Sequence, residues 1–236
     1  MDIFSKSIIL IPALNERKNL EKLIPAIIKF MPGISVVVVD DNSKDGTLEL
    51  LEDFKKNNTN IYHLIRVINF GYGKSVIAGL RWVADHNYDY VITMDADFSH
   101  DYREIPEILN KLNNADVVFG SRYIKGGGIG NWSIHRKLLS RLANVYIKII
   151  LGIKFNDGTT GFVGYNKRAI DKISKFNMNS EGYAFLVESK YKLAKAGYKI
   201  IEHPIIFNER REGESKMSSR VIWESIWMPW KLRFKK

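Results

Sequence analysis

The sequence predicts an α/β protein on a mostly parallel sheet, and three observations carry that expectation. Short apolar runs alternate with helical stretches through the N-terminal half, one run is β-branched without interruption, and acidic residues follow directly on two of the runs. An unbroken β-branched run reads as a parallel strand covered on both faces. Alternation of such strands with helices leads to a parallel sheet flanked by helices.

The elements follow in order. Residues 8–11 form a first strand ended by Pro12, and Asn15 is placed to cap a helix over 16–30. Residues 35–39 are the β-branched strand, which runs into DDNSKDGT and then a helix over 48–56. Strand 61–68, helix 73–86, strand 90–94, helix 105–112 and strand 116–120 continue the alternation. Past Gly120 the pattern changes: KGGGIG reads as a flexible loop, 138–151 as helix, 161–165 as strand, 181–197 as helix and 199–207 as strand. The tail mixes Trp223, Trp227 and Trp230 with Lys216, Arg220, Lys231, Arg233, Lys235 and Lys236, so it reads as an amphipathic basic helix. Residues 1–213 are accordingly expected as one domain, with 214–236 a basic, Trp-rich tail.

Composition narrows the classes. With 236 residues and 45% hydrophobic content the chain can bury a sizeable core, and its lack of cysteine removes disulfides, cysteine nucleophiles and cysteine–zinc sites. The same lack suits a reducing compartment. A net charge of +10 favours anionic partners: nucleic acid, acidic lipid or phosphorylated substrates. No stretch has the ~20 apolar residues a membrane span needs. MDIFSKSIILIP lacks a cationic leader and a small-residue cleavage site, so a signal peptide is not expected.

In an open α/β sheet, ligands bind at the carboxyl ends of the strands. Asp40 and Asp41 close one strand, and Asp95 and Asp97 follow another. A single strand-end pair is explained equally well by turn capping; two pairs after buried strands point to a ligand. Hard cations such as Mg²⁺ or Mn²⁺ take carboxylates together with substrate phosphates, and MDADFSH offers two. INFGYGKSVIAG fits neither a dinucleotide fingerprint nor a P-loop, yet its glycine turn opens a helix with Lys74 at the start, where an anion can sit. Arg122 follows a strand, Arg136 and Arg141 follow the glycine loop, and Arg210, Arg211 and Lys216 flank EGES; arginine's planar fork suits phosphate oxygens. His63, His86, His100, His135 and His203 show no metal-ligand spacing and read as surface or structural residues. No nucleophile elbow is present.

These motifs together resemble the inverting family 2 glycosyltransferases of GT-A (Rossmann-like) fold, and within them the dolichyl-phosphate (polyprenyl-phosphate) mannose synthases. The resemblance spans about residues 7–225. It rests on IPALNERKNL, VVVVDDNSKDGT, FGYGKSVIAGL, MDADFSH, VVFGSRYIKGGG, WSIHRKLLSRLAN, DGTTGFVGYNKRAI, SEGYAFLVE and PIIFNERREGESKM. Pro12, Leu14, Asn15, Glu16 and Asp41 fall where the family holds the nucleotide base and ribose. Asp95 and Asp97 match its metal-binding carboxylates, and Ala96 lies against the donor. Arg122, Arg136 and Ser140 match positions that grip the acceptor phosphate. Arg210 and Lys216 match the late basic pair over the donor diphosphate. The chain departs from the family's pattern in four places: Leu14 replaces an aromatic residue, GYG replaces GLG, Val163 replaces an arginine, and Ser99 stands where a metal-binding glutamine can stand. Ser99 is therefore the candidate third ligand.

The resemblance implies a metal-dependent inverting enzyme, using Mg²⁺ or Mn²⁺ as cofactor. It would transfer mannose from GDP-mannose to dolichyl or polyprenyl phosphate, giving a β-linked product and GDP. UDP-glucose or another UDP-sugar is the alternative donor. A non-catalytic anion- or nucleic-acid-binding module is the alternative of another class, and with no helix-turn-helix or RNA-binding aromatic signature no nucleic acid partner is expected. The tail would sit on a membrane surface, tryptophans at headgroup level and lysines on anionic lipid. The expected location is cytoplasmic, peripheral to the cytoplasmic face of the plasma membrane or endoplasmic reticulum, with room for a membrane-embedded partner subunit.

Overall fold

β1 (Ser7–Ala13) and β2 (Ser35–Asp40) lie side by side in parallel, Ile8 opposite Ser35 and Ala13 opposite Asp40. Every residue of β2, and every residue of β1 except Pro12, is buried. The computed structural model of the chain describes residues 3–68, 70–178, 180, 182–208 and 219–234. β3 (Ile61–Ile65) extends the sheet beyond β2, and β4 (Tyr90–Thr93) pairs in parallel with the other side of β1. β5 (Val117–Ser121) is followed by the two-residue strand β6 (Gly128–Ile129), which leaves the sheet. β7 (Val163–Asn166) enters between β4 and β5, antiparallel to both. β8 (Ile200–Pro204) closes the sheet in parallel with β5, and β9 (Ile206–Phe207) pairs with β6. The order is β3-β2-β1-β4-β7-β5-β8. The sense of winding reverses between β1 and β4, so their carboxyl ends frame the crevice where such folds bind ligands.

Helices cover both faces. α1 (Arg17–Phe30), α2 (Thr47–Asn57), α3 (Tyr72–Asp85) and α4 (Ile105–Leu112) alternate with the first five strands. α5 (Ile134–Leu151), α6 (Lys167–Ile173), α7 (Gly182–Lys195) and α8 (Ser219–Phe234) belong to the C-terminal part. One core joins Ile8, Leu10, Val37 and Val39 to Val76, Leu80 and Val83 of α3; the other joins Ile9, Ile11, Val36 and Val38 to Leu20, Leu23, Ile24 and Ile27 of α1. Alternating strand residues thus feed opposite cores. α1 carries Pro25 in its interior, a cost of ~3 kcal/mol. Its four buried aliphatic side chains contribute roughly 1.5–3 kcal/mol each, so burial wins. A Cβ on Gly79 would run into Leu10 and Val39, and only glycine lets α3 lie this close to the sheet.

Several sequence expectations are corrected. β1 runs through Pro12 to Ala13, because its pairing with β4 ends at Leu10 and the missing N–H falls where no strand asks for it. Asn15 does not cap α1; Glu16 holds that position without a side-chain cap, and the Asn15 carboxamide accepts from the Lys44 N–H at 2.8 Å instead. The KGGGIG loop contains β6, and the expected strand over 199–207 is two strands. α5 begins at Ile134, earlier than expected, because the Ser133 hydroxyl caps it at the Arg136 N–H. α6 had no counterpart in the sequence reading. The tail is helical as α8, fastened to α5 by Tyr146, whose hydroxyl donates to the Ile226 carbonyl and accepts from the Trp230 indole, each at 2.7 Å.

Candidate active site

The carboxyl ends of β1, β2 and β4 share a local feature. Asn15, Asn42 and Phe98, one after each strand, adopt left-handed backbone with φ of 56°, 63° and 62°. Asparagine tolerates this; for phenylalanine it stores strain that surrounding structure must hold, and such residues gather at functional sites.

The β1 and β2 ends are stitched together. The Asn15 N–H donates to Ser43 Oγ at 2.7 Å, and the Arg17 N–H to Asp45 Oδ2 at 3.0 Å. Asp40 is taken up by Ser43, accepting from both its N–H and its hydroxyl. Asp41 is held more firmly: it accepts from Arg66 Nη1 at 2.6 Å, the Ser75 hydroxyl at 2.7 Å and the Gly71 N–H at 2.8 Å. Pro12, Leu14, Asn15, Glu16 and Asp41 thus come together on neighbouring strand ends. Leu14 and Asn15 are exposed, and Glu16 accepts from the Asn19 carboxamide at 2.8 Å.

At the β4 end Ala96 and Asp97 are buried and Asp95 is half-buried. Asp97 accepts from the Ser99 N–H at 3.0 Å, which closes the turn around Phe98. The Ser99 hydroxyl is fully buried and has no hydrogen-bond partner among the described residues. Those residues hold no group of three His, Cys, Asp or Glu side chains that could bind a metal. What the turn could offer a cation is two carboxylates and one orphaned hydroxyl. That set fits a hard cation completed by substrate phosphate oxygens.

His100, read from sequence as structural, belongs to this turn. Its Nδ1 accepts from the Asp95 N–H at 3.1 Å, and its ring stacks on Phe162 at 5.0 Å. Burial pushes its pKa below the usual histidine value, against the pull of Asp95 and Asp97. A neutral ring with its proton on Nε2 follows from that acceptor role. Its place three residues after the second aspartate of MDADFSH was the signal available.

From His100 the site continues to the basic residues. Phe207 packs edge-on against His100 at 5.6 Å, and the Arg122 guanidinium lies 5.4 Å from the same Phe207 ring. Arg122 is buried, with Nε and Nη2 donating to Asp157 at 2.7 Å each and Nη2 also to Thr159. Burial works to raise the Asp157 pKa, but the Arg122 charge and its hydrogen bonds outweigh it and hold the carboxyl low. Asp157 is thus the partner that sequence reasoning missed. Arg136 is exposed and stacks 3.8 Å above the Trp132 ring, which Arg122 also approaches, at 6.0 Å. Ser140 accepts from the Tyr123 hydroxyl at 2.6 Å. Arg122, Arg136 and Ser140 therefore form one cluster through Trp132 and Tyr123. Arg210 and Lys216 lie outside the described residues.

A third group fixes the floor. The Lys190 ammonium, fully buried, donates to the carbonyls of Thr160 at 2.7 Å and Gly158 at 3.0 Å. Glu202 accepts from the Ser121 hydroxyl at 2.6 Å and from both the N–H and the carboxamide of Asn156.

Residues 8–174 match the profile described as Glycosyl transferase family 2. The chain is 36% identical over 217 residues to the undecaprenyl-phosphate mannosyltransferase of Micrococcus luteus, covering 92% of this chain and 89% of that protein. It is 34% identical over 223 residues to the polyprenol monophosphomannose synthase of Mycolicibacterium smegmatis, covering 94% and 84%. Among solved structures it is similar to glucosyl-3-phosphoglycerate synthase from Mycobacterium tuberculosis. The complex of that protein with Mn²⁺, UDP and glucosyl-3-phosphoglycerate aligns with a TM-score of 0.64 and 15% identity, covering 98% of this chain and 80% of the other. Its complex with Mg²⁺ and UDP gives 0.67 and 15%, covering 97% and 82%. At that identity the likeness establishes the fold, that of GT-A glycosyltransferases.

Proposed function

The chain belongs to glycosyl transferase family 2, and from that premise we propose that it transfers mannose from GDP-mannose to a dolichyl or polyprenyl phosphate with inversion at the sugar C1. One observation carries this reading: an acidic turn and an arginine–aromatic cluster adjoin, linked through His100 and Phe207. An enzyme joining two anionic substrates can use both, a cation held by the acids at one and arginines at the other. The undecaprenyl-phosphate and polyprenol-phosphate relatives support this acceptor class and mannose.

Asp95, Asp97 and Ser99 would hold Mg²⁺ or Mn²⁺. When bound, such a cation supplies Lewis-acid stabilisation of the charge that grows on a leaving diphosphate. The β1 and β2 ends, with Asn15 and Asp41, bind the nucleotide. Arg136, Ser140 and the Arg122–Asp157 pair orient the acceptor phosphate, with Arg210 and Lys216 assigned to the donor diphosphate. The acceptor oxygen forms its bond to C1 as the C1–diphosphate bond breaks. The acceptor is already anionic, so no proton has to leave and no general base is required. The chain's own part is therefore positioning and electrostatics.

α5 and α8 are read as a membrane-facing pair. Ile134, Leu138, Leu139, Leu142 and Ile149 of α5, and Trp227, Trp230 and Phe234 of α8, are exposed. No described helix is long and apolar enough to cross a membrane. An apolar surface on a chain of net charge +10 suits an anionic cytoplasmic leaflet. The test is purified protein with Mn²⁺ or Mg²⁺, a panel of GDP- and UDP-sugars and a polyprenyl phosphate, with product mass and anomeric linkage recorded. A β-mannosyl lipid phosphate is expected; an α-linked product, or a UDP-sugar as the efficient donor, overturns the assignment.

A further inference from the structure

Tyr72 is the residue by which this chain departs from GLG in its glycine motif, and the fold fixes where its hydroxyl lies. It occupies the first turn of α3, one residue after Gly71, whose N–H is held by Asp41. The ring packs edge-on against Phe185 at 6.4 Å. A Cβ built on the next glycine, Gly73, would enter the Phe185 side chain, so this turn sits tightly on α7. The hydroxyl then reaches across the site to Gly161. A Cβ built on Gly161 would collide with the Tyr72 hydroxyl oxygen and stand 3.5 Å from Asp95 Oδ1.

Gly161 cannot retreat from that contact. Its carbonyl accepts from the buried Thr93 hydroxyl at 2.8 Å, and the preceding carbonyl, of Thr160, accepts from Lys190 at 2.7 Å. The tyrosine is pinned at its base by the Asp41 end of the sheet, and its tip meets a pinned glycine beside Asp95. One side chain therefore spans the two acidic strand ends.

We infer that Tyr72 is a positioning residue for Asp95: its hydroxyl sets the orientation of that carboxylate and through it the affinity for the divalent cation. This rests on the metal-site reading of Asp95 and Asp97 given above. Groups behind a metal ligand fix its orientation, and losing one costs on the order of 10–100-fold in metal affinity. The same arrangement explains why position 161 is glycine. Any larger residue there displaces the hydroxyl.

The test measures Mn²⁺ binding by electron paramagnetic resonance on the full chain with GDP present, alongside the melting temperature of the metal-free protein. The variants are Tyr72→Phe, which keeps the ring, Gly161→Ala, and the two combined. Tyr72→Phe should weaken Mn²⁺ affinity roughly 10-fold, with kcat recovering at saturating Mn²⁺ and the melting temperature holding. Gly161→Ala should weaken it at least as much in the wild-type background. It should add nothing in the Tyr72→Phe background, where the nearest ring carbon would stand 3.6 Å from the new methyl, an ordinary contact. Unchanged affinity in Tyr72→Phe, or an equal loss from Gly161→Ala in both backgrounds, overturns the inference. No Mn²⁺ binding by the wild type would instead overturn the metal-site reading on which it rests.

Discussion

The acid pair at the end of β2 and the acid pair after β4 share one sequence signal and have different surroundings. Asp40 and Asp41 are used by the chain itself: Ser43 takes the first, and Arg66, Ser75 and the Gly71 N–H take the second. Asp95 and Asp97 lie in a turn with a strained Phe98, a neutral His100 and a buried Ser99 hydroxyl that has no partner among the described residues. A carboxylate satisfied by fixed donors builds a loop. A pair set beside an orphaned hydroxyl is what the proposed metal site requires. The difference teaches that two aspartates at a parallel strand end carry information only together with what their neighbours leave undone.

The most severe test of that division is Asp97→Ala. Transfer should fall by roughly 10³-fold, as for other preorganised electrostatic groups, while the melting temperature holds or rises. A large loss of stability with modest loss of rate would place Asp97 with Asp41 and end the distinction. Next in size is Arg122→Leu, which strands the buried Asp157 charge; chemical denaturation should show a loss of about 3–5 kcal/mol. If stability barely changes, Arg122 is not the loop anchor its bidentate pair indicates. Asp41→Asn should cost less, on the order of 1.5–3 kcal/mol from weakened charge-assisted hydrogen bonds, and should raise KM for the donor more than it lowers kcat.

Smaller still, per pH unit, is a pH effect. Burial, chiefly, lowers the Lys190 pKa from 10.5 to about 7. Between those values the unfolded chain binds the extra proton, so stability should climb with pH by up to ~1.4 kcal/mol per unit. Below about pH 7 the full cost of the buried charge remains. Lys190→Met should flatten that slope in urea titrations at pH 7, 8 and 9; an unchanged slope would show that the Thr160 and Gly158 carbonyls keep the ammonium charged throughout. The smallest effect on the folded enzyme is expected from paired Leu138→Glu and Leu142→Glu on exposed α5. Stability should shift by no more than about 0.5 kcal/mol, while flotation with anionic liposomes should drop. Unimpaired flotation removes α5 from the membrane-facing surface.

Much of this was legible in the sequence, and the gaps have physical causes. The parallel strands were readable because both their faces are buried, which leaves an unbroken apolar run. Asp95, Asp97 and Asp41 stood out as candidates because strand ends in this fold class are where ligands bind. Pro12 misled because a proline ends a strand only where its N–H is needed, and pairing with β4 has stopped by then. Asn15 misled because its side chain serves a neighbouring loop 29 residues away, which no local pattern encodes. Arg122 was seen as a phosphate-binding cation, but its partner Asp157 lies 35 residues on and only the fold brings the two together. His100 was read as surface or structural, and structural it is, but that it holds the main chain of the acidic turn needed the fold.

The central claim is that the β4 acid pair, and not the β2 pair, supplies the metal site for transfer to a lipid phosphate. The most direct measurement is mannosyl transfer from GDP-mannose to polyprenyl phosphate against Mn²⁺ concentration, for wild type, Asp97→Asn and Asp41→Asn in parallel. The account predicts that Asp97→Asn needs far more Mn²⁺ or shows no transfer at any concentration, while Asp41→Asn keeps the wild-type Mn²⁺ midpoint and loses only donor affinity. A midpoint that moves in Asp41→Asn and stays put in Asp97→Asn would contradict it.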